Sequence, residues 1–207
     1  MNINYDWDEA VGWLCAADSR IAPYLRHRPQ PPGERPEDLF SALLMPIVSQ
    51  QLSTRAAEAI GRRLCALLPA QGRAAAYLEL GEAQVRAAGL SGAKYRALLD
   101  LAERVLNGQL PSLRACADLD DQAVEACLIR VRGVGPWTAQ MFLMFALGRP
   151  DVLPLGDLGV RKGLAVMLGE AEIPPSEVLR ERAEAWRPYR SVVAWHCWQV
   201  LENQPRC

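Results

Sequence analysis

Along this chain Ala, Leu, Arg and Glu recur at three- and four-residue intervals, while valine and isoleucine rarely alternate with polar residues. That spacing is the period of a helix, and it predicts an all-α protein. The stretch DLFSALLMPIVSQ reads as one apolar helix and STRAAEAIGRRLCALL as the next, with Ser53 placed to cap the second through its side-chain oxygen. Between them Gln50, Gln51 and Leu52 make a tight polar corner. Further helices are expected near 82–88, 93–106, 121–131, 137–147, 158–168, 176–186 and 189–202. The segment RHRPQPPGERPED holds four prolines and a glycine, so it reads as an extended connection between a short N-terminal helix and the body. No internal repeat is visible. The other connections are mostly short, so consecutive helices should pack on one another in a compact orthogonal array.

One stretch interrupts this pattern. In VRGVGPWTAQMF the helix expected at 121–131 runs into Arg132, Gly133, Val134, Gly135 and Pro136, and a new helix starts at once with Trp137. Glycines permit positive φ and carry no side chain, so backbone N–H groups at the hairpin and the next helix start can point outward together. Such amides, with the positive end of the helix dipole behind them, suit an anion such as a nucleic-acid phosphate. Pro136 fits a first helical turn, where its missing N–H costs nothing. Gly-x-Gly by itself describes an ordinary turn between packed helices equally well.

Composition narrows the classes. The chain has 207 residues, 50% of them hydrophobic, enough to build a core for one large domain or two small ones. No run of about 18 uncharged apolar residues could span a bilayer, and MNINYDWDEAVGW lacks the basic start and apolar run of a secretion signal. A soluble intracellular protein is expected. The six cysteines show no CxxC pair, so reduced thiols are expected rather than a zinc site or disulfide framework. A formal net charge of -1 provides no general attraction to nucleic acid, so any DNA contact must be local. Lysine occurs only at Lys94 and Lys162. The remaining cations are arginine, which suits bidentate phosphate or carboxylate contacts, although genome composition produces the same bias.

Five pieces, IVSQQLSTRAA, GLSGAKYRALLDLA, RVRGVGPWTAQMF, DVLPLGDLGVRKG and WRPYRSVVAWHCW, follow one another between about Leu39 and Trp198. In that order they resemble the helix-hairpin-helix (HhH-GPD) DNA glycosylases, and among them the DNA-3-methyladenine glycosylase II, or AlkA-like, branch. The resemblance implies an all-helical fold with a substrate cleft between two lobes. The central lobe would be 38–145, with the hairpin at about 121–145, and the second would join 1–37 to 146–207. Larger bacterial relatives carry an extra N-terminal β domain. This chain has no room for one before Asp38 and looks like a minimal version. It departs from the pattern at Arg132, where relatives often have proline.

The resemblance also implies a chemistry. Cleaving an N-glycosidic bond creates oxocarbenium character on the deoxyribose, which calls for a nearby negative charge and a route for water. The family's catalytic aspartate falls on Asp157, twenty residues beyond Trp137, at a helix start whose dipole favours an ionised carboxylate. Taken alone, Gly-Asp-Leu is also an ordinary helix cap. Relatives that cut the strand carry a lysine two positions after the second hairpin glycine, where this chain has Trp137. A monofunctional enzyme without lyase activity, using water and leaving an abasic site, is therefore implied. The residue inserted into the gap left by an everted base corresponds to Gln51, with Gln50 and Leu52 as neighbours; by the residues alone, a polar turn that contacts nothing is the alternative.

Trp137 and Trp198 hold pocket positions in the resemblance, and Tyr189 and Met141 join them as candidate substrate contacts. A cationic alkylated purine would be drawn to such aromatic faces, while helix aromatics and methionines commonly serve as core. Candidate DNA contacts are Arg132, the amides of Gly133, Val134 and Gly135, and then Arg161, Lys162, Arg190 and Ser191; for each charged side chain a solvated face or ion pair is the alternative. His196 reads as a packing residue and His27 sits in the proline-rich connection. Only Cys197 and Cys207 lie near the C-terminus, so an iron–sulfur cluster is excluded and no cofactor is expected. Hairpins of this kind can hold a monovalent cation on backbone carbonyls. The expected partner is duplex DNA carrying alkylated bases such as 3-methyladenine or 7-methylguanine, with no membrane and no obligate protein partner. The expected location is cytoplasmic, at the nucleoid in a bacterium, or nuclear otherwise. The competing readings are a non-catalytic lesion-binding protein and a purely structural helical protein.

Overall fold

The computed structural model describes residues 5–26 and 36–202. Among these the regular structure is entirely helical. The helices are α1 (Trp7–Ala17), α2 (Ala22–Leu25), α3 (Leu39–Ser49), α4 (Thr54–Cys65), α5 (Arg73–Leu78), α6 (Glu82–Ala87) and α7 (Gly92–Leu106). They continue with α8 (Leu113–Asp118), α9 (Asp121–Leu128), α10 (Pro136–Phe145), α11 (Leu158–Leu168), α12 (Ser176–Ala183), a 3₁₀ turn (Glu184–Trp186) and α13 (Arg190–Glu202). No helix among the described residues is long and apolar enough to cross a membrane. Most of the connection at 26–38, with His27, lies outside the described residues, as does Cys207.

The differences from expectation lie mainly in short elements and at helix ends. Helices α2, α5 and α8, of 4, 6 and 6 residues, are too short to display a period and were not expected. The helix expected at 121–131 stops at Leu128, and the chain tightens so that Val131 N–H donates to Leu128 O at 3.0 Å. The next helix starts one residue early, with Pro136 in its first turn and Gly135 as its N-cap. The helix expected over 176–186 changes to 3₁₀ at Glu184. Ser53 caps α4 by accepting from the Ala56 amide.

The chain divides into two compact units, one of Met1–Glu34 with Leu147–Cys207 and one of Arg35–Ala146. In the first, α11 lies so close to α13 that a Cβ on Gly163 would sit 2.4 Å from the Cys197 Cβ and 2.5 Å from its backbone. Burial keeps the Cys197 thiol neutral. Trp186 is fully buried, and its indole N–H donates to Asp18 Oδ2 at 3.2 Å. The Arg20 side chain and amide also donate to Asp18, holding its carboxyl below the ordinary value against the opposing effect of burial. His196 is buried, stacks on Trp7 and donates from Nδ1 to Val192 O at 2.7 Å, a helix-packing arrangement.

In the second unit α3 forms the centre, with Phe40, Leu43, Leu44, Ile47 and Val48 buried against α4, α5, α7 and α10. The apolar run expected of α3 is thus explained by neighbours on several sides. Tyr77 is wholly buried between the rings of Phe40 and Tyr95.

Candidate functional site

The hairpin begins where α9 ends. Arg132 N–H donates to Asp100 Oδ2 at 2.7 Å, and the same oxygen takes the Arg104 side chain at 2.9 Å, so α7 anchors the first strand of the turn. Burial opposes ionisation of Asp100, but those two donors outweigh it and leave its carboxyl below the usual range. Gly133 has φ 73°, the left-handed conformation that favours glycine, whereas Gly135 is extended at φ -111°. Val134 is buried and its amide donates to Val131 O at 3.1 Å. This corrects the expectation for Val134, because its N–H is already used inside the turn. The amides of Gly133 and Gly135 make no hydrogen bond among the described residues and remain the hairpin's candidate anion donors. Arg132 is exposed at the same tip.

The corner after α3 is a β-turn of defined type. Gln50 has φ -48° and ψ 127°, Gln51 has φ 55°, and Leu52 N–H donates to Ser49 O at 3.1 Å. These values describe a type II turn, whose third position ordinarily takes glycine. Gln51 occupies it at a steric cost, with its side chain and that of Leu52 exposed. Gln50 points the other way. Its amide donates to Gly133 O and to Thr138 Oγ1, each at 2.9 Å, joining corner and hairpin within the same unit.

In the other unit Asp157 is the N-cap of α11. Its Oδ1 accepts from Val160 N–H at 3.0 Å and from the Trp198 indole N–H at 3.3 Å, and the residue stays partly exposed. Capping and the candidate catalytic role are therefore compatible, since the carboxylate accepts both bonds while the residue keeps part of its surface open. Gly159 makes the arrangement possible: a Cβ there would lie 2.9 Å from Asp157 Oδ1 and 3.0 Å from Trp198 Cδ1. Gly159 carries no role in the reading of the sequence, because nothing in GDLGV shows that Trp198 comes to rest there.

Several expected contacts are corrected by burial. Ser191 is fully buried, its hydroxyl donating to Arg149 O at 2.7 Å and accepting from Val152 N–H at 2.9 Å, and its own amide is bound to Pro150 O. It pins a turn and has no donor to offer a phosphate. Arg190 is committed to Asp151 at 2.6 Å and to Glu184, beside Arg187, which pairs with the same two carboxylates. Met141 is buried in the packed interior, and Tyr189 lies against the rings of Tyr5 and Trp13. Lys162 is exposed; Arg161 is partly buried, and its Nε has no hydrogen-bond partner among the described residues. Trp137 sits partly exposed in the first turn of α10. No group of three His, Cys, Asp or Glu residues among those described is placed to hold a metal ion.

An all-helical chain with a glycine hairpin feeding a proline-started helix, and a separate helix capped by aspartate, has the parts of a helix-hairpin-helix repair protein. Residues 44–188 match the family described as HhH-GPD superfamily base excision DNA repair protein, and the chain belongs to that family. It is 30% identical over 177 residues to the DNA-3-methyladenine glycosylase 1 of Schizosaccharomyces pombe, covering 84% of this chain and 77% of that one. It is 30% identical to the DNA-3-methyladenine glycosylase of Saccharomyces cerevisiae, covering 81% and 68%. The S. pombe 3-methyladenine DNA glycosylase solved in complex with abasic DNA superposes with a TM-score of 0.86 at 26% identity, over 96% of this chain and 99% of that chain. A DNA-3-methyladenine glycosidase from Bacillus halodurans gives a TM-score of 0.75 at 28% identity, over 98% and 92%.

Proposed function

We propose that the protein is a monofunctional DNA glycosylase that hydrolyses the N-glycosidic bond of alkylated bases, 3-methyladenine and 7-methylguanine among them, in duplex DNA and leaves an abasic site. The observation that carries this reading is Asp157, a partly exposed carboxylate held as an acceptor by a helix amide and an indole N–H. Its negative charge stabilises the oxocarbenium character that develops on the sugar and orients the attacking water. Alkylated purines already carry positive charge, so the leaving group needs no strong general acid. Trp198, whose indole N–H donates to Asp157, supplies an aromatic face for a cationic base, an attraction of about 0.5 to 2 kcal/mol. The Gly133 and Gly135 amides, with Arg132, hold the backbone while Gln51 and Leu52 fill the gap left by the everted base. With Trp137 where strand-cutting relatives carry lysine, the chain has no amine at that position to form a Schiff base. Its place of work is wherever the cell keeps its DNA.

The experiment is a set of duplexes, each with one alkylated base, incubated with wild type or Asp157→Asn and then treated with alkali. Wild type is expected to yield alkali-labile sites and no strand cleavage without alkali. Asp157→Asn is expected to fold and lose base release. Near-full activity in that variant would exclude Asp157 as the catalytic group, and a covalent adduct trapped by borohydride would exclude the monofunctional reaction. A wild type that binds lesions without releasing any base would establish the competing lesion-binding reading.

A further inference from the structure

Of the five motif pieces, GLSGAKYRALLDLA finds no use in the reaction just described, yet it carries Lys94, one of two lysines among 23 Lys and Arg residues. Lys94 lies in the first turn of α7, whose N-cap is Ser91. Its Nζ donates to Val48 O and to Gln50 O, each at 2.7 Å. The first carbonyl belongs to the last turn of α3 and the second to the turn that presents Gln51. One ammonium thus holds both the end of the helix and the corner that follows it.

The position is costly for a cation. Burial pushes the Lys94 pKa below the ordinary lysine value, and the charge sits at the positive end of its own helix. Two short charge-assisted bonds and the negative end of α3 offset this. A compact ammonium can aim separate N–H groups at two converging carbonyls, whereas the planar arginine fork spreads its donors in fixed directions. That geometry accounts for lysine here in a chain that otherwise favours arginine.

We infer that Lys94 is a positioning residue for base eversion: by clamping Val48 O and Gln50 O it sets the strained turn that presents Gln51 to duplex DNA, and the Gln50 amide ties that turn to the glycine hairpin. The inference rests on the reading of Gln51 as the residue that fills the gap. Corner and hairpin then meet DNA as one preformed wedge, so the ordering of the corner precedes binding and lowers its cost. A strained conformation persists only where its surroundings over-determine it, and Lys94 supplies that constraint at Gln51.

The test uses a duplex with a tetrahydrofuran abasic analogue opposite 2-aminopurine, whose fluorescence reports insertion without any chemistry. Wild type, Lys94→Met, Gln51→Ala and the double variant are compared, with anisotropy on an undamaged duplex and thermal melts alongside. Wild type should change the fluorescence, and each single variant should lose on the order of tenfold in the affinity of that insertion phase. The double variant should lose little more than either, while affinity for undamaged duplex stays within about threefold throughout. Additive losses would mean that Lys94 contributes only general stability and would overturn the inference. A wild-type signal in Lys94→Met, or no signal in wild type, would overturn it as well. If Lys94→Met fails to fold, Lys94→Arg carries the same cycle, with the same outcomes deciding. A wild type that inserts into the analogue but releases no alkylated base would remove the glycosylase reading and leave this inference standing.

Discussion

Asp18 and Trp186 are 168 positions apart and meet through one buried hydrogen bond. Asp18→Ala would leave the Trp186 N–H without its acceptor and is expected to cost about 1 to 3 kcal/mol in urea unfolding at neutral pH. Asp18→Asn keeps an oxygen for Trp186 but loses the charge that faces Arg20. Because the folded carboxyl titrates below its unfolded value of 3.8, its stabilising contribution is complete above that value and is lost as pH falls through the folded one. The stability gap between wild type and Asp18→Asn should therefore be flat above about pH 5 and close in more acid solution. Gly159 gives a second prediction at this scale. Gly159→Ala places a methyl between Asp157 and Trp198, and single-turnover base release is expected to fall by roughly tenfold to a hundredfold with little change in melting temperature. Of these residues Asp157 stood out in the sequence as a candidate, through its motif and its distance from the hairpin. The roles of Asp18 and Gly159 were not legible there, because each depends on a tryptophan brought in from a remote part of the chain.

Among the elements, the long helices were legible because 10 or more residues repeat the apolar period, as α4 and α7 do. Short helices and the retreat of α9 before the hairpin were set instead by local hydrogen bonding. The corner after α3 predicts a conflict between stability and function. Gln51→Gly relieves the positive φ and should stabilise the protein by about 1 kcal/mol in thermal unfolding, yet reduce base release from duplex DNA, because nothing remains to fill the gap. A melting temperature that falls would show that the Gln51 side chain stabilises the fold more than its backbone strains it. Packing of α11 on α13 gives a prediction independent of function. The methyl of Gly163→Ala meets Cys197 backbone, which no rotamer change can move, so a loss of about 1 to 3 kcal/mol is expected by thermal unfolding.

For the whole molecule the weak net charge bears on how DNA is held. With a formal charge of -1, affinity must come from a few local contacts rather than a broad field. Arg132 is exposed while its backbone is fixed to Asp100, so its side chain is placed at the hairpin without holding it together. Arg132→Gln is expected to weaken binding uniformly across DNA sequences and to reduce the slope of log affinity against log salt by about one. An unchanged slope in filter-binding or anisotropy titrations would remove Arg132 from the phosphate contacts.

What the sequence determined by itself is the helical class, the glycine break before Trp137, and the order of motifs that marks the family; these depend on period and spacing, which are properties of neighbouring residues. Tertiary structure decided which of the candidate groups have donors left to offer. Ser191 and the Val134 amide are consumed within the fold, Arg190 is held by carboxylates, and Lys94 grips the corner from another helix. A hydrogen-bond partner from a distant segment leaves no trace in local spacing, so only the packed chain can assign it.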